Sequence, residues 1–94
     1  MKKLENKVAI ITGAAAGLGK AIALLFAAEG SKVVAADINV ALLKMLEEEI
    51  TSTGGIVTTV VADMAKEEDI DELFNKAITS YGAVDILVNN AGVM

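Results

Sequence analysis

The sequence predicts an α/β fold in which helices cover both faces of a parallel β-sheet. Three features lead to this prediction: four short apolar segments, helix-periodic segments between them, and glycines at each helix-to-strand change, at intervals of about 25 residues. Strands that are apolar along their whole length are typical of parallel sheets, which need right-handed crossover connections. We therefore expect a doubly wound sheet with strand order 3-2-1-4 and the first strand near its centre.

The length and composition limit the chain to one domain. Its 94 residues are close to the smallest number that builds a core without disulfides or metals, and 54% of them are hydrophobic, which excludes disorder. The complete doubly wound pattern has about six strands. We therefore expect residues 1–94 to form a single partial domain, truncated to about four strands and three helices.

The four strands follow from short segments that are rich in β-branched residues and almost continuously apolar. Such segments indicate strands that are buried on both faces of a sheet. They comprise residues 8–12, 32–36, 56–61 and 84–88.

Three helices are predicted where apolar residues recur with the helical period, so that one side of each helix can lie on the sheet. In the first helix these residues are Leu18, Ala21, Ile22, Leu25 and Phe26. In the second they are Leu42, Leu43, Leu46 and Ile50, after Asn39 as the expected N-cap. In the third they are Ile70, Leu73, Phe74, Ala77, Ile78 and Tyr81, after the acidic residues 67–69 at the positive end of the helix.

The composition excludes several classes of function. Without histidine or cysteine the chain has no disulfides, no thiolate chemistry and no histidine base. All eight basic residues are lysines and the net charge is -5, which argues against binding to nucleic acid or to an anionic membrane surface. The apolar segments are too short for a signal peptide or a membrane span. We expect a cytoplasmic protein with no metal site.

A glycine-rich segment, TGAAAGLGKAIA, joins the first strand to the first helix and contains Gly13, Gly17 and Gly19. Glycine is needed where the backbone turns sharply or approaches a phosphate closely, and the amides at a helix start bind anions without a basic side chain. The spacing fits neither the Walker loop, which needs Ser or Thr where Ala21 stands, nor G-x-G-x-x-G, which needs glycine where Ile22 stands. An ordinary tight turn is the alternative.

Two aspartates follow the second and third strands. Asp37 lies 18 residues after Gly19, near the ~20 residues at which an acidic side chain meets the ribose hydroxyls of a bound dinucleotide. Its carboxylate would repel a 2′-phosphate, which favours NAD over NADP. Asp63 ends the third strand at the same edge of the sheet, where ligands bind in open α/β folds. Either residue is also suited to a turn or a helix cap.

The fourth strand ends in VNNAG, residues 88–92, and with this segment the chain resembles the short-chain dehydrogenase/reductase family, whose fold is of the Rossmann type. The resemblance covers nearly all of the 94 residues. The family pattern TGxxxGxG stands here as Thr12-Gly13, Gly17 and Gly19, its acidic strand end as Asp37, its aspartate after the third strand as Asp63, and its NNAG motif as Asn89, Asn90, Ala91 and Gly92.

The resemblance implies a dinucleotide site and an oxidoreductase acting on alcohols or carbonyl compounds by hydride transfer. It implies these roles: Gly13, Gly17, Leu18 and Gly19 line the pyrophosphate and the adjoining ribose; Asp37 accepts from the adenosine ribose; Asp63 meets the adenine amine; Asn89, Ala91 and Gly92 border the nicotinamide ribose; Thr12 ties the glycine turn to the NNAG loop.

The chain departs from the family at the catalytic residues. The family uses a serine and a Tyr-x-x-x-Lys motif to move a proton, whereas the only tyrosine here, Tyr81, is followed four residues later by Asp85. Tyr81 completes an apolar helical stripe, so we expect it to pack in the core. No residue of the chain is predicted to be catalytic, and we expect the 94 residues alone to be inactive. Ala65 stands where the family has Ser or Thr as a helix cap.

Two alternatives remain. The chain is expected to form homo-oligomers if its fourth strand is an exposed apolar edge, and in the extreme case it would be a self-associating module without useful nucleotide binding. The architecture also suits other Rossmann-like enzymes, such as methyltransferases, although the glycine spacing and residues 89–92 argue against them.

Overall fold

The computed structural model describes residues 3–90, which contain four strands alternating with three helices. The strands are all parallel, in the order β3-β2-β1-β4, which confirms the predicted fold class and strand order. The elements are β1 (Val8–Thr12), α1 (Gly17–Ala28), β2 (Lys32–Asp37), α2 (Val40–Ser52), β3 (Ile56–Val61), α3 (Glu67–Tyr81) and β4 (Ile86–Asn89).

Strand β1 lies between β2 and β4, and all five of its residues are buried. Because successive side chains of a strand point to opposite faces, β1 contributes to two separate cores. Ile11 belongs to the core that α1 and α2 cover, and Ile10 to the core that α3 covers. This arrangement explains why the strand is apolar along its whole length.

Helix α1 contacts the sheet through a face that differs from the predicted one. Its buried residues are the small ones, Gly19, Ala23 and Ala27, whereas Leu18 is 68% exposed and Leu25 is 58% exposed. Of the predicted residues, Ala21 is exposed and Ile22 and Phe26 are partly buried against the core. The prediction was right for Ile22 and Phe26 and wrong for Leu18, Ala21 and Leu25. It followed the large apolar residues, while the small residues let the helix approach the sheet closely.

The predicted faces of the other two helices lie largely on the sheet. In α2, Leu43, Leu46 and Ile50 are buried and Leu42 packs partly against them, and the Asn39 side chain caps the helix by accepting from the Leu42 amide at 3.0 Å. In α3, Leu73 and Ala77 are buried, Phe74 is partly buried, and Ile78 is exposed.

Tyr81 packs against the α3-side core, as predicted. Its hydroxyl lies 2.7 Å from the Thr58 hydroxyl of β3, and the Lys32 ammonium lies 5.9 Å from the centre of its ring. These contacts attach the end of α3 to the sheet.

The start of α3 differs from the prediction that Ala65 occupies the capping position. The N-cap is Lys66, whose side chain makes no capping hydrogen bond. The backbone carbonyl of Lys66 accepts from the Asp69 and Ile70 amides at 3.1 and 3.2 Å. The helix therefore begins one residue later than a cap at Ala65 would require.

Strand β4 begins at Ile86, two residues later than predicted, because Asp85 bonds to β1 through its side chain. The Asp85 carboxylate accepts from the Val8 amide at 2.8 Å, and the Asp85 amide donates to the Val8 carbonyl at 2.8 Å. Regular pairing then runs from Ala9 with Ile86 onwards. Strand β2 is one residue longer than predicted and includes Asp37.

Within residues 3–90, no helix is both long and apolar enough to cross a bilayer.

Candidate functional site

A cavity of about 180 Å³ opens at the carboxyl ends of β1, β2 and β3. The structure brings together Gly13, Asp37 and Asp63, which the sequence analysis placed at three separate points along the chain. Parallel strands end at the same edge of a sheet, and this edge is where open α/β folds bind ligands. The residues that line the cavity are Gly13, Ala36, Asp37, Ile38, Ala62, Asp63 and Met64.

The glycine turn needs its glycines for two different physical reasons. Gly13 and Gly17 have φ angles of 62° and 58°, in the left-handed region that favours glycine. Gly19 has ordinary helical geometry, but a Cβ there would overlap the Gly13 carbonyl oxygen and lie 2.8 Å from the Asn90 Nδ2. The start of α1 therefore lies directly against the turn that precedes it.

Among the residues that the structure describes, no side chain caps the start of α1 and no acidic residue lies in its first turn. The first amides of a helix have no partner inside the helix and carry its positive end. At α2 the Asn39 side chain caps these groups, and at α3 three acidic residues occupy the first turn; α1 has neither a side-chain cap nor an acidic residue there. A Cβ at Gly17 would meet no heavy atom within 4 Å, so there is open space beside this helix start.

Asp37 is partly buried and contacts two segments that flank the cavity. Its Oδ2 accepts from the Ala15 amide of the glycine turn and its Oδ1 from the Asn39 amide before α2, both at 3.0 Å. Its backbone carbonyl accepts from the Ala62 amide at 3.0 Å. The carboxylate therefore has a fixed orientation at the end of β2.

Asp63 lines the same cavity and also shapes its own turn. Its Oδ1 accepts from the Ala65 amide at 2.9 Å, and its amide donates to the Asp69 carboxylate at 2.8 Å. These bonds are those of the turn residue that the sequence analysis left open as an alternative. Asp63 lines the cavity, and its carboxylate has acceptor capacity left for a ligand.

The end of β4 is linked to the glycine turn by side chains. The Thr12 hydroxyl lies 3.3 Å from the Val88 carbonyl oxygen and 3.3 Å from the Asn89 Oδ1. The Asn90 side chain donates to the Gly13 carbonyl at 3.2 Å. The predicted site residues Ala91 and Gly92 lie outside the described residues.

Sequence reasoning missed roles for Asn90 and Asp85. Asn90 was predicted only as part of the NNAG motif, with no contact of its own, and Asp85 only as the residue at the position of a missing lysine. Both bond to β1 or to the turn that follows it. The only signal in the sequence was their position near the two ends of the predicted strand 84–88.

The described residues fit an adenine dinucleotide. The group needs amides for its pyrophosphate, an acceptor for its ribose hydroxyls and space for its adenine. The uncapped start of α1, beside the open space at Gly17, provides amides for the pyrophosphate. The oriented Asp37 carboxylate provides the acceptor for the ribose hydroxyls, and the cavity between Asp37 and Asp63 provides space for the adenine. No group of three or more metal-binding side chains occurs among residues 3–90.

Known proteins match this chain in sequence. The sequence profile of the short chain dehydrogenase family matches residues 7–94. The 3-oxoacyl-acyl-carrier-protein reductase FabG of Thermotoga maritima is 45% identical over 91 residues, which are 97% of this chain and 37% of that protein.

Solved structures have the same fold. A hydroxysteroid dehydrogenase from Escherichia coli superposes with a TM-score of 0.92 at 46% identity, over 96% of this chain and 38% of that one. A metagenomic short-chain oxidoreductase, solved in complex with NADP, superposes with a TM-score of 0.88 at 35% identity, over 95% of this chain and 40% of that one. The chain thus spans somewhat more than a third of the length of these relatives, and by its family profile, sequence and fold it belongs to the short-chain dehydrogenase/reductase family.

Proposed function

We propose that this chain is the dinucleotide-binding, N-terminal part of an NAD(H)-dependent oxidoreductase that acts on alcohols or carbonyl compounds. The observation that carries the proposal is the uncapped start of α1, which directly follows the glycine turn. Gly13, the first residue of that turn, lines the same cavity as Asp37. An anion would compensate the positive end of the uncapped helix, and a sugar would use the acceptor capacity that the Ala15 and Asn39 amides leave on the carboxylate.

Different residues would bind different parts of the cofactor. The amides of the glycine turn and of the start of α1, with Leu18 beside them, would hold the pyrophosphate; Asp37 would accept from the adenosine ribose and Asp63 from the adenine amine. Asn89, with Ala91 and Gly92, would border the nicotinamide ribose. The nicotinamide would give or take a hydride when bound.

Asp37 supports NAD as the cofactor. A 2′-phosphate carries a charge of about −1.5 to −2 near neutral pH, and the carboxylate that Ala15 and Asn39 hold in place would repel it. The NADP-bound neighbour shows that family membership alone leaves this choice open. We expect NADH to bind at least about tenfold more tightly than NADPH, a difference of about 1.4 kcal/mol.

The complete reaction requires residues that this chain does not supply. Tyr81, the only tyrosine, packs against the α3-side core, with its hydroxyl beside Thr58 and its ring beside Lys32 at the start of β2. We therefore propose that residues 1–94 belong to a single partial domain that binds cofactor in the cytoplasm and transfers no hydride alone. A small alcohol or carbonyl substrate would bind only to a longer protein.

Calorimetric titration of the purified chain with NADH and with NADPH tests the proposal. Gly17→Val fills the open space beside α1 and should abolish binding. Gly54→Val is the matched control, because Gly54 also has a positive φ and open space but lies at the other end of the sheet. Absence of binding to either nucleotide would remove the proposed function, and equal or tighter NADPH binding would remove the argument from Asp37.

Self-association is the second candidate, and the exposed edge of β4 favours it. Within residues 3–90, β4 pairs with β1 only, Leu87 is 50% exposed, and an apolar cavity of about 160 Å³ lies between β4 and α3. Light scattering of the wild type, Leu87→Lys and the opposite-edge control Ile56→Lys tests this. If a second copy pairs at β4, the wild type should form a dimer or a larger species, and only Leu87→Lys should convert it to monomer. A monomeric wild type at tens of micromolar would contradict self-association.

A further inference from the structure

We infer that Asp37 is a positioning residue for the glycine turn, in addition to the sugar acceptor that the proposed function makes it. The inference has a structural half, that Asp37 holds the glycine turn in place, and a ligand half, that this positioning affects the binding of phosphates. Only the ligand half rests on the proposed function. The carboxylate would then connect two parts of the site, the one that holds the phosphates and the one that holds the adenosine ribose.

The glycine turn is attached to the end of β2 by two consecutive amides. The Ala14 amide donates to the Ala36 carbonyl at 3.1 Å, and the Ala15 amide donates to the Asp37 Oδ2 at 3.0 Å. Both alanines are buried, so their amides need an acceptor inside the protein. The first bond is between backbone groups and tolerates any side chain, but the second depends on the carboxylate.

Ala15 lies between the two left-handed glycines of the turn, Gly13 and Gly17, where the backbone has no helical or strand ladder to hold it. Without the carboxylate, its buried amide would be left unpaired, and the turn would move to expose it to water. Such a movement would displace the start of α1 from the position in which Gly19 lies against Gly13. The phosphate-binding amides would lose their arrangement.

The Asp37 carboxylate has enough acceptor capacity for both roles. An ionised carboxylate offers about four lone-pair positions, and the Ala15 and Asn39 amides use one on each oxygen. The remaining capacity matches the two hydroxyls of a ribose. A bound nucleotide would therefore add to these bonds without displacing the Ala15 amide.

This arrangement changes what a substitution at Asp37 is expected to do. If the carboxylate only accepted from the ribose hydroxyls and repelled a 2′-phosphate, replacing it would weaken NADH binding and strengthen NADPH binding. Because it also positions the glycine turn, its loss should weaken the binding of every ligand that has a pyrophosphate, including those that lack the ribose hydroxyls.

Amide hydrogen exchange of the nucleotide-free chain, measured by NMR, tests the structural half. In Asp37→Ala the Ala15 amide should exchange about tenfold faster than in the wild type, while the Ile11 amide of β1 keeps its rate. Asp37→Asn retains one acceptor oxygen and should give an intermediate rate. Glu72→Gln removes an exposed carboxylate from α3 and should change neither amide. An unchanged Ala15 rate in Asp37→Ala would overturn the inference.

Calorimetry with ADP and 2′,3′-dideoxy-ADP tests the ligand half. Asp37→Ala should weaken the binding of both, and the dideoxy compound by about fivefold, although it has no hydroxyl for Asp37 to meet. Weaker ADP binding with unchanged binding of the dideoxy compound would confine Asp37 to the sugar and overturn the inference. If the wild type bound neither compound, the proposed function would fail, while the Ala15 exchange rate would still decide the structural half.

Discussion

Replacement of Gly19 by alanine distinguishes a tightly packed turn from a merely flexible one. Alanine should lower the free energy of unfolding in the first case and raise it in the second. Gly19 is the third residue of α1 and has ordinary helical geometry. In a helix with free space around it, alanine would be about 1 kcal/mol more favourable than glycine. In this structure a Cβ at Gly19 overlaps the Gly13 carbonyl oxygen and crowds the Asn90 side chain.

The size of the effect follows from these contacts. Overpacking a well-packed region costs about 1–3 kcal/mol, and loss of the Asn90 to Gly13 hydrogen bond adds about 1 kcal/mol. After the gain in helix propensity is subtracted, Gly19→Ala should lower the free energy of unfolding by about 2 kcal/mol. For a chain of this length that loss corresponds to a fall in Tm of about 10 °C.

Urea denaturation followed by circular dichroism measures the loss, and NADH titration measures its consequence at the site. Gly54→Ala is the matched control, because it places a side chain in open space at φ 85° and should cost about 1 kcal/mol of strain without changing nucleotide binding. If Gly19→Ala were as stable as the wild type or more stable, the close approach of α1 to the glycine turn would be refuted.

Three further substitutions test other contacts. Lys66→Ser should raise the free energy of unfolding by about 0.5–1 kcal/mol, because it supplies the missing cap of α3; Ala65→Ser should have no such effect, and the reverse result in urea denaturation would place the cap at residue 65. Asp85→Ala should cost about 1–3 kcal/mol, because the buried Val8 amide loses its acceptor; Asp85→Asn should recover part of the loss, and an unchanged hydrogen-exchange rate at Val8 would contradict the contact. Tyr81→Phe should cost about 1 kcal/mol and leave NADH affinity unchanged. In a double-mutant cycle with Thr58→Val the two losses should not add; weaker NADH binding by Tyr81→Phe would contradict a purely structural role for the hydroxyl.

The sheet and the position of the candidate site could be predicted from the sequence because both depend on short-range patterns. Continuous apolar segments indicate strands buried on both faces, and alternation with helical periods requires parallel pairing. Parallel pairing then places the residues that follow each strand at one edge, which is why Asp37 and Asp63 line one cavity.

The sheet-facing side of α1 could not be predicted, because apolar residues occupy most of its circumference. The contact is decided by the smallest residues, Gly19, Ala23 and Ala27, which a search for large apolar side chains passes over. The closeness of Gly19 to Gly13 becomes visible only when the path of the turn is known.

The side-chain contacts of the site could not be predicted from the sequence either. The bond from Asn90 to Gly13 joins residues 77 positions apart, and it depends on β4 lying beside β1 with the correct register. The bond from Ala15 to Asp37 spans 22 positions and depends on the turn bending back over β2. No local pattern carries this information, because either side chain is equally suited to solvent.

The central position of β1 has a consequence for the order in which the molecule assembles. Its pairing with β2 closes a short section of chain, since Lys7 and Ser31, which directly precede the two strands, are 24 positions apart. On the β4 side, Val8 and Asp85 are separated by 77. The entropy lost in closing a loop grows with its length, and non-local pairings form slowly. Strands β1, β2 and β3 should therefore associate first, and β4 should dock last, with Asp85 fixing the position at which it stops.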